Sequence, residues 1–197
     1  SHTAVNNGLT FTEDRFGRLN SALRSDGTGT YLSVTPSRVV NELDAFTVLF
    51  RVRLGSLEGP VYLVSKWGRA DGQLADGKFT VQTADGAITL FVVGPEGRYG
   101  WTAARGVLSA GRWHSVAVTF EDGRGAIYVD GAEVRSRTFP FEELYADDAP
   151  LLVMTAEAAT DDPYGLYNAV GAIDDFELYD GALDAEAIAE WAAATPL

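Results

Sequence analysis

Apolar and polar residues alternate with a period of two over most of this sequence, in short runs closed by turn-forming residues. In Phe46–Leu54, residues Phe46, Val48, Phe50, Val52 and Leu54 form one set, while Arg51 and Arg53 belong to the other. Only an extended strand places those two sets on opposite faces. Similar runs cover Val61–Lys66, Lys78–Thr83, Ala87–Val93, Arg112–Phe120, Gly125–Asp130, Ala132–Arg137, Pro150–Thr155 and Ala172–Tyr179. Asp85-Gly86, Asp122-Gly123 and Asp130-Gly131 fall between consecutive runs, and each pair can adopt the positive φ values of a tight hairpin turn. Many short strands joined this way predict an all-β, two-sheet antiparallel sandwich. One helix is expected at the end: Asp184 is its N-cap, Leu183 staples onto Ile188, and Ala185, Ile188, Trp191 and Ala192 share a stripe before the stop at Pro196. The length suits one domain over residues 1–197, with Ser1 and His2 reading as the remnant of a removed tag.

Composition narrows the chemistry. The chain has no cysteine, which excludes disulfides, thiolate catalysis and cysteine-ligated metals. Its net charge is −13, unevenly distributed: all 15 Lys and Arg lie at or before Arg137, and 14 Asp and Glu follow it. Such a chain repels nucleic acid, so no nucleic-acid partner is expected. No apolar run of transmembrane length occurs, so no membrane insertion is expected either.

Three segments resemble laminin-G-like domains, which belong to the concanavalin-A-like jelly rolls. Gly111–Phe120 followed by Gly125–Val134 resembles their central hairpin. Ser21–Val34, with Asp26-Gly27-Thr28-Gly29 in its middle, resembles their first strand pair. Gly171–Tyr179 with Ala182–Glu186 resembles their last strand and closing helix. The resemblance implies a jelly roll with a short C-terminal helix, acting extracellularly or at a cell surface, as part of a larger and bacterial protein. It does not fix function, because one scaffold carries lectins, adhesion modules and glycosidases alike.

Two kinds of site are expected. Asp174 has the parity of Phe176 and Leu178, so it is carried towards apolar surroundings, where a carboxylate needs a cation or several hydrogen bonds. Calcium suits a carboxylate-and-carbonyl site, and the resemblance implies one between the last strand and the loop after the first, giving Asp26, Gly27 and Asp174 as ligands. The alternative is a carboxylate satisfied by backbone amides. For a ligand, Trp67, Tyr99 and Trp101 near Lys66, Arg69 and Arg98 offer rings for sugar stacking beside charged donors. Asp161, Asp162 and Tyr164, in the Pro163-Gly165 turn region, form a second candidate.

Catalysis finds little support. His114 shares parity with Val116 and Val118 and reads as a packed residue, and no nucleophile-elbow motif occurs. Glu42-Leu43-Asp44 resembles the start of a glucanase strand motif, but Thr47 stands where its second glutamate is required. The expectation is a non-catalytic recognition or adhesion module that binds carbohydrate. The alternatives are a protein-binding or spacer module, partnered by surface proteins or other domains of the parent chain, and a glycan-active enzyme.

Overall fold

The computed structural model describes residues 4–70, 73–156 and 168–195. Among the described residues, fourteen strands form two seven-stranded sheets. The first sheet has the order β1 (Ala4–Asn7), β4 (Tyr31–Val34), β13 (Leu151–Val153), β6 (Val61–Ala70), β7 (Gln73–Ala84), β8 (Ala87–Gly94) and β9 (Arg98–Ala104). The second runs β12 (Ala132–Thr138), β11 (Arg124–Val129), β10 (His114–Glu121), β5 (Phe46–Leu54), β14 (Val170–Asp180), β3 (Ala22–Asp26) and β2 (Thr10–Thr12). All pairings between these strands are antiparallel. Among the described residues the α-helices are the single turn α1 (Arg38–Asn41) and the closing helix α2 (Ala185–Ala193).

The predicted architecture is present, and local chemistry explains its turns. Asp85-Gly86, Asp122-Gly123 and Asp130-Gly131 all have positive φ at both residues, the conformation in which a two-residue turn matches strand twist. The segment read as a first strand pair differs. β3 pairs with β14 and β2, whereas β4 pairs with β1 and β13. Asp26–Gly29 therefore carries the chain from one sheet to the other rather than closing a hairpin. Strand β9 is an addition, because glycine at Gly100 breaks the apolar alternation that would have revealed it. Gly100 faces the core against Phe139.

The two sheets share one core. Phe46 of β5 stacks on Phe79 of β7 at a centroid distance of 4.2 Å, which ties the sheets together directly. Val48, Phe50 and Val52 continue the buried set, as their alternation predicts. A second, smaller cluster lies on the outer face of the second sheet, where Ile188, Leu183 and Trp191 cover Leu49, Ala117 and Tyr128. The helix carrying Ile188 and Trp191 starts as expected: the Asp184 carboxylate accepts the Ala187 amide at 2.8 Å. It ends at Ala193, and Pro196 lies outside the described residues.

Arg51 locks that helix down. The side chain is only 2% exposed and is stacked over the Trp191 ring, 4.4 Å from its centroid. Its guanidinium donates to Asp175 (2.7 Å), Ser115 (2.5 Å) and the carbonyls of Trp191 (2.7 Å) and Ala192 (3.2 Å). A cation at those last carbonyls meets the negative end of the helix. Arg15 adds hydrogen bonds to the carbonyls of Ala192 and Ala194.

A buried ionic group occupies the space between the sheets. Lys66 is fully buried, its ammonium 2.6 Å from Asp147 and 2.6 Å from the Ala149 carbonyl. Lys78 is also buried and donates to the Leu43 carbonyl at 2.6 Å. Burial pushes the Asp147 carboxyl up, against the pull of the Lys66 ammonium, and pushes Lys78 down. Removing one partner of such a pair strands the other. Lys66→Met is expected to cost about 3–5 kcal/mol in chemical denaturation, whereas Lys66→Met combined with Asp147→Leu recovers most of it. A double variant no more stable than the single one contradicts this account.

Candidate functional site

The outer face of the first sheet, at its β6–β9 end, carries a group of aromatic rings. Along β9, Gly100, Thr102 and Ala104 are buried while Tyr99 and Trp101 are exposed, at 57% and 52%. Strand alternation therefore turns both rings outward. Trp67 of β6 stacks on Tyr99 of β9 across the two intervening strands β7 and β8, with centroids 5.8 Å apart and planes 20° off parallel. It can do so because residue 77, directly opposite in the ladder, is glycine: a Cβ there would fall 2.6 Å from Trp67 Cα and Cγ. Phe91 of β8 is paired in register with Trp101 and tilts against it at 6.4 Å. Tyr99 and Trp101 are two residues apart on one strand, about 6.8 Å, so the two ring pairs lie side by side.

Polar groups share this face. Thr80 is paired with Phe91, and Gln82 with Thr89, so all four side chains point the same way. The Gln82 amide donates to the Thr80 hydroxyl at 3.1 Å; Thr80 itself is buried, so Gln82 and Thr89, both partly exposed, are the polar side chains this face offers. Rings flanked by hydroxyls and amides stack on apolar sugar faces and hydrogen-bond the sugar hydroxyls.

Of the expected ligand residues, Trp67, Tyr99 and Trp101 are brought together. Lys66 is not with them. It faces Phe79 in the ladder and points into the sandwich, so adjacency to Trp67 in sequence meant opposite faces. Arg98 is exposed and lies 3.8 Å from Glu96. Asp161, Asp162 and Tyr164 lie outside the described residues, as does the side chain of Arg69. Sequence reasoning missed Phe91 and Gly77; their signal was the register of β6, β7, β8 and β9, which alternation alone does not supply.

The expected cation ligands are not assembled. A bulge between Asp174 and Glu177, with Asp175 at φ 47°, changes the parity of β14. Asp174 is consequently paired with Arg51 on the outer face, while Ile173 and Phe176 both pack against the core. Burial and the neighbouring Asp175 carboxylate push the Asp174 carboxyl up, and Arg51 opposes them. The positive charge at this place is thus a guanidinium. Asp26 is exposed and paired with Val170, four residues from Asp174, which is about 13 Å of strand. Its carboxylate accepts the Thr28 amide at 2.9 Å and hydroxyl at 2.6 Å, which hold it below the usual carboxylate range. Gly27, at φ 82°, makes the turn against Val170. Among the described residues no group of three or more His, Asp or Glu could hold a metal. The residues proposed for calcium therefore do not fit one shared ion.

The candidates for catalysis are engaged elsewhere. His114 is 5% exposed; its Nε2 accepts the Ser109 amide at 3.0 Å, and Nδ1 lies 3.0 Å from Asp130. Both ring nitrogens are therefore occupied, with Nδ1 carrying the hydrogen in this arrangement. Glu42 caps α1 and pairs with Arg38, and the Asp44 carboxylate accepts the Leu144 amide, so both precede β5 instead of lying on it. The glucanase-like motif is not formed on a strand.

Comparison with solved structures places the fold. The receptor binding domain of botulinum neurotoxin C/D mosaic serotype superposes with a TM-score of 0.73 at 13% identity, covering 98% of this chain and 46% of that one. The binding domain of Paraclostridial Mosquitocidal Protein 1 gives 0.74 at 14% identity, covering 97% and 47%. The botulinum neurotoxin serotype D ligand binding domain, solved in complex with N-acetylneuraminic acid, gives 0.72 at 13%, covering 98% and 46%. The chain thus spans about half the length of these structures. No curated protein sequence matches it. A family model for the concanavalin A-like lectin/glucanases superfamily matches residues 26–189, including both strands of the central hairpin and most of the closing helix, and the chain belongs to that family.

Proposed function

We propose that this chain is a non-catalytic carbohydrate-binding module of a larger extracellular or cell-surface protein. A glycan lies across Trp67, Tyr99, Phe91 and Trp101 on the outer face of the first sheet. The observation that carries this reading is the exposure of Tyr99 and Trp101 in ring pairs, beside the partly exposed Thr89 hydroxyl and Gln82 amide. A spacer domain would have these rings buried. The structure of a similar fold with N-acetylneuraminic acid supports a saccharide ligand as a class. Non-catalytic binding is supported by the engagement of His114, Glu42 and Asp44 in structural contacts. Among the described residues no helix is long and apolar enough to cross a membrane.

Binding through these rings makes a direct prediction. In isothermal titration against whichever polysaccharide an array identifies, Trp101→Ala is expected to weaken affinity by roughly tenfold or more, about 1.4 kcal/mol. Tyr99→Ala is expected to do the same, with unchanged melting temperature because both side chains are exposed. Affinity unaltered in both variants removes the site. Calcium forms no part of this reading: millimolar calcium is expected to leave the melting temperature of chelated protein where it was. A rise of several degrees that Asp26→Asn abolishes would return a cation to the Asp26–Gly29 loop, since a ligand of the folded state must stabilise it.

A further inference from the structure

The sandwich is open along one side, where edge strand β9 of the first sheet meets edge strand β12 of the second. Arg135 is paired with Ile127 and Arg137 with Gly125, residues that face the core. Because the first sheet ends at β9, these two arginines extend over its edge, and Arg137 donates to the Trp101 carbonyl at 2.7 Å. Arg105 follows at the end of β9. The resulting cleft has a volume of about 450 Å³ and is lined by Trp101, Arg105, Val134, Arg135, Arg137 and the backbone between Trp101 and Arg105.

Among the described residues no carboxylate lines this cleft. In a chain of net charge −13 that is a marked local inversion. Nearby acids are committed: Glu133 pairs with Arg124 at 2.8 Å, and Glu96 lies beside Arg98. Among the described residues Arg105 and Arg135 form no ion pair and no hydrogen bond. Two guanidiniums with free forks therefore border a half-exposed tryptophan ring. A guanidinium binds planar or tetrahedral oxyanions through paired donors, and a ring binds the face of a sugar.

The geometry points to an acidic glycan as the ligand: a polysaccharide whose carboxylate or sulfate groups dock on Arg105 and Arg135 while an adjoining sugar stacks on Trp101. This rests on the reading of the aromatic face as a glycan site and names its substrate class. Arg137 acts differently. It satisfies the edge carbonyl of Trp101 and so holds β12 over β9.

The test compares hyaluronan (carboxylate only), chondroitin sulfate (carboxylate and sulfate), a neutral mannan and phosphatidylserine vesicles as probes of the full chain. Binding to one or both acidic polysaccharides and not to mannan is expected, and which of the two binds assigns the anion. Raising salt from about 50 to about 300 mM is expected to weaken that binding roughly tenfold. Arg105→Ala combined with Arg135→Ala is expected to abolish the salt dependence and reduce affinity at least roughly tenfold. Both side chains are exposed, so the melting temperature serves as the control for folding. Salt-independent binding of mannan, equal in the double variant, overturns the acidic-glycan inference and leaves the aromatic site standing. Absence of binding to every polysaccharide overturns both, and capture by the vesicles alone assigns the arginines to an anionic lipid surface instead.

Discussion

Side chains on a strand alternate between two faces, and here one face of each sheet is committed to a single shared core. Phe46 and Phe79, stacked across the gap, mark where that commitment is greatest. Everything else about the surface follows from what the other face carries. On the second sheet it carries Leu49, Ala117 and Tyr128, an apolar strip that α2 covers and Arg51 fastens. On the first sheet, at the β6–β9 end, it carries aromatic rings and short polar groups with no helix laid over them among the described residues. The same rule separates neighbours: Lys66 enters the core and needs Asp147, while Trp67 lies on the outer face and meets Tyr99.

The fold was largely legible because its signals are local. The alternation in Phe46–Leu54, the Asp-Gly turns and the Asp184 cap each depend on residues close in sequence, and each is found as read. The errors arise where a local rule meets a long-range one. Parity predicts Asp174 beside Phe176 until a bulge, enforced by the pairing of β14 with β5, inserts one residue and reverses it. Asp26-Gly27 has the chemistry of a hairpin turn, yet it joins strands of different sheets. The aromatic site was half legible. Its three most obvious rings could be named, but their meeting depends on Gly77 leaving room and on a register across four strands, β6 to β9, that no single run encodes.

Electrostatics divides the molecule in a way that composition obscures. The acids after Arg137 give the chain its charge, and several of them do structural work: Asp147 on Lys66, Asp175 on Arg51, and Glu177 accepting the Trp191 indole at 3.0 Å. The basic residues at the β9–β12 seam form the opposite pole beside the aromatic rings. Net charge therefore describes the long-range field of the chain, while the seam is the proposed place for recognition of an acidic ligand.

The four tryptophans sample the competing surfaces. Trp67 and Trp101 belong to the proposed site, whereas Trp113 lines a separate cavity with Arg15 and Arg51, and Trp191 is the ring under Arg51. Each contributes one indole N–H resonance to a nitrogen–proton correlation spectrum. Titration with a bound polysaccharide should shift the Trp67 and Trp101 resonances and leave Trp113 and Trp191 in place. Shifts confined to Trp113 and Trp191 would put the ligand on the second sheet and contradict the account.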